Sequence, residues 1–190
     1  MKIYLIRHGV TRLGEEKRYQ GRTDAPLSEG GRASLRRADF DPERVYVTPL
    51  CRTAETASIL FPDSRLIAVP DLREMDFGAF EGRGYWEMED DADYRAWVDG
   101  KCEGRCPGGE DRPGFFSRVC AAFEDVLRRE AGADSLVIVA HGGTQMAILD
   151  RWGKPERMFN KWQRPCGCGW LLERDADGTL RVLEELDYTT

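Results

Sequence analysis

Ile3-Tyr4-Leu5-Ile6 is a short apolar run that stops on Arg7, His8 and Gly9. A strand apolar on both faces predicts a buried parallel strand, because helices must cover it from both sides. Val45-Tyr46-Val47, Leu66-Ile67-Ala68-Val69 and Leu136-Val137-Ile138-Val139 repeat the pattern, the last most clearly. Helical stretches are expected over residues 28–38 (opened by Ser28 and Glu29), 53–60, 85–99, 115–127 and 144–152. Residues 11–26 carry Gly14, Gly21 and Pro26 without periodicity and are expected as loop. Trp170 to Glu173, a turn over Asp175-Ala176-Asp177-Gly178, and Leu180 to Leu186 predict a hairpin. Alternation of this kind predicts an α/β fold: a three-layer α/β/α sandwich around a mostly parallel sheet.

A chain of 190 residues is long enough for one sizeable core. We expect a single domain over 1–190 with a cap-like insertion at about 76–112, in which Trp86, Tyr94 and Trp97 are expected as cap core, with stacking on a ligand's aromatic ring as the alternative. The formal net charge of −6 argues against nucleic acid or an anionic membrane as partner. No apolar stretch approaches the roughly 20 residues of a membrane span, and the N-terminal run is too short for a leader core. A cytoplasmic location is expected, with the six cysteines as reduced thiols. Cys102-x₃-Cys106 and Cys166-x-Cys168 do not make a repeated zinc knuckle, so no metal is expected on them.

In open α/β sheets, ligands bind beyond the carboxyl ends of the strands. That edge collects chemistry here. The first strand delivers Arg7 and His8, the second leads to Arg52, the third to a loop bearing Glu74, and the last parallel strand to His141. The chain has only two histidines, and each follows a buried strand and precedes glycine. Two arginines and two histidines make a place for a dianion, since the planar guanidinium fork suits phosphate oxygens. Flanking arginines disfavour a protonated His8 and leave a ring nitrogen free to attack phosphorus. Glu74 is then the candidate general acid and base, and His141 a stabiliser of charge on the transferring group. Cationic side chains serve that chemistry without a metal or other cofactor.

Five segments in order resemble the histidine phosphatase superfamily, the phosphoglycerate-mutase-like enzymes. They are Arg7-His8-Gly9; Gln20-Gly21 with Asp24-x-Pro26-Leu27-Ser28; Thr48-Pro49-Leu50-Cys51-Arg52; Arg73-Glu74-Met75-Asp76-Phe77-Gly78-Ala79-Phe80-Glu81-Gly82; and Ala140-His141-Gly142-Gly143. The resemblance implies a phosphoglycerate-mutase-like fold and makes His8 the phospho-accepting residue and Glu74 the proton donor. It adds Arg7, Arg52 and His141 as catalytic residues and Gln20, Gly21 and Gly142 as substrate-binding ones. The short chain and Pro107-Gly108-Gly109-Glu110 look most like the small alpha-ribazole phosphatases of cobalamin synthesis. The partner implied is a small phosphorylated metabolite, alpha-ribazole 5'-phosphate among the candidates. Mutase-type phosphate transfer and non-catalytic phosphate binding are the alternatives. The chain departs from the family at Gly14, where asparagine is usual, and at Val10, where Glu or Gln is frequent.

Overall fold

Residues 1–190 are described by a computed structural model. In chain order the elements are β1 (Lys2–Arg7), α1 (Arg12–Glu15), α2 (Glu29–Ala33), β2 (Arg44–Val47), α3 (Cys51–Leu60), β3 (Arg65–Ala68), α4 (Ala92–Asp99), α5 (Arg112–Arg129), β4 (Ser135–Ala140), α6 (Gly142–Trp152), β5 (Gly153–Lys154), β6 (Cys168–Arg174) and β7 (Leu180–Asp187). One seven-stranded sheet runs β3-β2-β4-β1-β6-β7-β5. The pairs β2–β3, β2–β4, β1–β4 and β5–β7 are parallel, while β1–β6 and β6–β7 are antiparallel. The mostly parallel sandwich is therefore observed, and the C-terminal hairpin supplies its antiparallel part.

The central strands alternate as a covered sheet must. Ile3, Leu5, Leu136 and Ile138 face one core with Phe115, Val119 and Phe123 of α5 and Ala147 and Ile148 of α6. Ile6, Val45, Val47, Val137 and Val139 face a second core with Ala57 and Leu60 of α3. Side-chain caps fix most helix starts: Thr11, Ser28, Asp91 and Asp111 each accept a first-turn N–H, opening α1, α2, α4 and α5. No helix is long and apolar enough to cross a membrane.

Three expectations need correction. Residues 11–26 include a helical turn, α1, because Thr11 caps it through a 3.1 Å bond from Gly14 N. The helix expected to reach Ala38 stops after Ala33. Gly30 and Gly31 support it poorly, and Leu35 and Arg36 pair instead with the C-terminal residues Thr189 and Tyr188. Trp86 is 44% exposed, under the guanidinium of Arg18, whereas Trp97 is buried and Tyr94 half-buried in a cluster with Tyr19, Phe77 and Phe80. The two-residue strand β5 and a 3₁₀ turn at Phe159–Trp162 carried no periodic signal.

Phe123 lies at the centre of α5, 1% exposed and stacked near Trp152. Phe123→Ala should cost about 3–5 kcal/mol through lost contact and the cavity left behind. For a chain of this size that lowers the melting temperature by roughly 6–20 °C in a thermal scan. A shift under about 2 °C would contradict the packing described here.

Candidate active site

β1 and β4 run side by side with Arg7 opposite Ala140, and His8 N extends the ladder to Ala140 O at 2.9 Å. His8 and His141 are thus the next residues on neighbouring strands. Their ring centroids lie 5.2 Å apart with planes crossed at 64°. Both are buried. His8 Nδ1 lies 2.7 Å from Gly9 O. A carbonyl only accepts, so Nδ1 carries the ring proton and Nε2 keeps its lone pair. Burial first, then Arg52 and Arg7, hold His8 well below the ordinary imidazole value, against a small opposing effect of the Gly9 carbonyl. Gly9 N in turn donates to Thr56 Oγ1 at 2.9 Å, which anchors the His8–Gly9 peptide.

His141 precedes α6 and meets Thr48 Oγ1 through Nε2 at 3.0 Å, while its Nδ1 is buried without a partner. Burial, then Arg52, His8 and Arg7, hold it well below the ordinary value too. Arg52, in the first turn of α3, is 0% exposed. It donates to Thr23 O and Gly21 O, each at 2.8 Å. Arg7 donates to Arg164 O at 2.9 Å. Neither arginine pairs with a carboxylate, and each keeps a buried Nε without a partner. Gln20 receives Thr11 Oγ1 on Oε1 at 2.6 Å and keeps a buried Nε2 free. Unspent buried donors are uncommon in proteins, and here they suit an anionic oxygen.

Glu74 enters from the loop after β3. Its Oε2 accepts Gly143 N at 2.9 Å and its Oε1 accepts Met75 N at 3.0 Å, so it sits at the start of α6. A Cβ at Gly143 would lie 2.0 Å from Glu74 Oε1, so only glycine admits the carboxyl there. Beside Glu74 and Gly143 opens a cavity of about 170 Å³ lined by Phe77, Trp97, Phe115, Phe116, Met146 and Phe159. The one cation on its wall, Arg112, is engaged with Glu103 and Lys101 O.

His8, His141, Arg7, Arg52 and Glu74 therefore gather at the strand-end edge, while Gln20 lies in the loop after α1, tied to Thr11. Gly21 takes a different part: its carbonyl holds Arg52, and its N–H is spent on the Glu81 carboxylate. Gly142 lies in the first turn of α6, where a Cβ would meet Gln163 Nε2 at 2.4 Å. Gly14 sits in α1 and presents no side chain to the edge. Three further contributors stand outside the expected site residues, although Thr48 lies in one of the family-like segments. Thr48 orients His141, Arg118 holds the backbone of Asp71 and Arg73 beside Glu74 at 2.7 and 3.2 Å, and Gln145 ties Leu5 O to Arg164 N. Each acts on a backbone or side-chain partner distant in sequence, which no spacing reveals.

Comparison with known proteins agrees with this geometry. The model of the histidine phosphatase superfamily (branch 1) matches residues 3–185. The "Probable phosphoglycerate mutase GpmB" of Enterobacter sp. (strain 638) is 34% identical over 151 residues, covering 75% of this chain and 70% of that protein. The alpha-ribazole phosphatase of Shigella flexneri superposes with a TM-score of 0.80 at 27% identity, covering 96% of both chains. The phosphoglycerate mutase of Thermus thermophilus gives 0.72 at 31% identity, covering 98% of both.

Both histidines titrate far below an unfolded histidine, whose value is about 6.5. Below that value the unfolded chain binds protons that the folded chain refuses, so stability falls as pH falls through it. The urea midpoint should be lower at about pH 5.5 than at about pH 7.5, and His8→Asn should remove roughly half of that difference. Equal pH dependence in the two proteins would show that His8 is not held neutral.

Proposed function

The chain belongs to the histidine phosphatase superfamily (branch 1), and from that premise we propose that it hydrolyses phosphomonoesters of small metabolites through a phosphohistidine on His8. The observation that carries the reading is a buried His8 whose Nδ1 faces the Gly9 carbonyl and leaves Nε2 free, with the buried Arg52 and the half-buried Arg7 both lacking carboxylate partners. The phosphoryl dianion takes its charge-assisted bonds from Arg7 and Arg52, each worth roughly 1.5–3 kcal/mol. His8 Nε2 attacks phosphorus, and the bond to the ester oxygen breaks. Glu74 gives that oxygen its proton, and the alcohol leaves. Water then attacks the phosphohistidine, Glu74 takes the water's proton, the N–P bond breaks, and phosphate departs. His141 and the arginines stabilise negative charge on the phosphoryl oxygens in both halves. Side-chain cations suffice for these steps.

The leaving group must touch Glu74, so the rest of the substrate lies toward the apolar cavity beside it. Aromatic walls suit a heteroaromatic group, whereas the carboxylate of phosphoglycerate would lose water there against an already engaged Arg112. This supports alpha-ribazole 5'-phosphate, in line with the Shigella flexneri relative, as the first substrate to try. A mutase is the second reading, favoured by the name of the Enterobacter relative. A pure phosphate binder would have no use for Glu74 seated against Gly143 N.

Wild type and His8→Ala should be assayed on alpha-ribazole 5'-phosphate, 3-phosphoglycerate and p-nitrophenyl phosphate without added metal. Phosphate release should fall by at least ~10³-fold in His8→Ala. Release that survives the substitution overturns the covalent step. Phosphoglycerate isomerised without net release selects the mutase, and inactivity on every ester selects the binder. Glu74→Gln should slow the alkyl esters by ~10²–10⁴ and the aryl ester less, since a good leaving group needs little protonation.

A further inference from the structure

Glu81 lies outside the reacting set, yet five donors converge on its half-buried carboxylate. Oε1 accepts Gly21 N at 3.0 Å, Arg22 N at 2.9 Å and Phe77 N at 3.2 Å. Oε2 accepts Gly21 N at 3.1 Å, Thr23 N at 3.2 Å and Thr23 Oγ1 at 2.6 Å. The loop so gripped is the one whose carbonyls hold Arg52. Arg22 N and Gly21 O are the two ends of a single peptide group. Its N–H points at Glu81, and its C=O receives Arg52 Nη2 at 2.8 Å. A carboxylate at one end and a guanidinium at the other polarise that amide in the same sense, so each bond strengthens the other.

The loop has little freedom to respond otherwise. A Cβ on Gly21 would lie 1.8 Å from Met75 O and 2.5 Å from Glu81 Oε1, so the backbone is pressed against the Glu81 segment. On its far side Asp24 Oδ1 accepts Cys51 N at 2.7 Å, one residue before Arg52. We propose that Glu81 is a positioning residue for phosphate binding: through the Gly21–Arg22 peptide it serves as a remote counter-ion to Arg52 and aims the unspent Nε at the phosphoryl group. The proposal rests on the anion-binding part given to Arg52 above and is independent of which ester is cleaved.

The test is a double-mutant cycle read by calorimetric binding of orthovanadate to the whole chain, which needs no turnover. Glu81→Gln places an amide N–H where backbone N–H groups already point, and should weaken vanadate roughly 10-fold, the scale of one charge-assisted bond. In an Arg52→Ala background the same substitution should cost less than about twofold, because the guanidinium it aims is gone. Thr23→Val removes only the side-chain bond to Glu81 and leaves the Gly21–Arg22 peptide in place, so it should weaken vanadate by clearly less than Glu81→Gln does. Melting curves accompany each variant; if Glu81→Gln does not fold, Glu81→Asp, which keeps the charge and shortens the reach, enters the same cycle. Losses that multiply in the double variant, Thr23→Val as weak as Glu81→Gln, or no vanadate binding by wild type would each overturn the proposal. Vanadate binding with the expected cycle but no phosphate release from any ester would uphold it and count against the phosphatase alone.

Discussion

Arg52 is fully buried with no carboxylate against it, and much of the edge around it is arranged to tolerate that charge. Removing a guanidinium from water costs several kcal/mol unless its donors are met and an opposite charge is near. Two backbone carbonyls meet two of its nitrogens, and Glu74, Glu81 and Asp24 act on it only from a distance. A direct ion pair would hold the arginine at lower cost, but it would also occupy the fork that the proposed phosphoryl dianion would need. The fold accepts an under-neutralised cation inside a chain whose net charge is −6. Local sign, rather than overall sign, therefore decides which ligand this edge can attract.

The sheet supplies the distances. β2, β4 and β1 are consecutive in it, and Thr48, His141 and His8 follow their respective ends. Neighbouring strands lie about 4.8 Å apart, so two rings at matched register must come to nearly that separation. The observed 5.2 Å between the imidazoles is the spacing of the sheet passed on to the side chains. Thr48 can then reach His141 from the next strand over, at 3.0 Å. The antiparallel hairpin on the other flank of β1 does different work. Gly167 N donates to His8 O at 3.1 Å and closes the outer side of the strand end.

What could be read from the residues alone was whatever a strand end announces. His8, His141 and Arg52 each stand at a junction where apolar periodicity breaks, and Glu74 sits in a segment with a family likeness. Those signals are local, because a strand must stop somewhere and the next residues must face its edge. Trp86 and the short α2 depart from the periodic pattern for the opposite reason. Trp86 lies under Arg18 at the surface, and α2 yields to a bridge between Leu35 and Thr189, both contacts far apart in sequence. The supporting bonds were hidden more deeply still. Arg118 holds loop carbonyls, and Glu81 holds amide hydrogens, so their partners are backbone groups that every residue carries.

The same burial has opposite consequences for the two kinds of cationic side chain gathered here. Desolvation lowers the proton affinity of imidazole and guanidinium alike. An imidazole begins at about 6.5, so any large downward shift leaves it neutral at physiological pH. A guanidinium begins far above neutrality and remains charged after a shift that would silence a histidine. One dry edge can therefore hold a charged guanidinium beside an uncharged imidazole, as the proposed reaction requires of Arg52 and His8, without a separate device to deprotonate the ring. Lysine would serve less well in the place of Arg52, because its ammonium gives up its proton more readily when buried and offers no planar fork to carbonyls and phosphate together. The choice of residues thus follows from the dryness of the site, and the dryness follows from three strand ends closed over by α6, the loop of Glu74 and the hairpin.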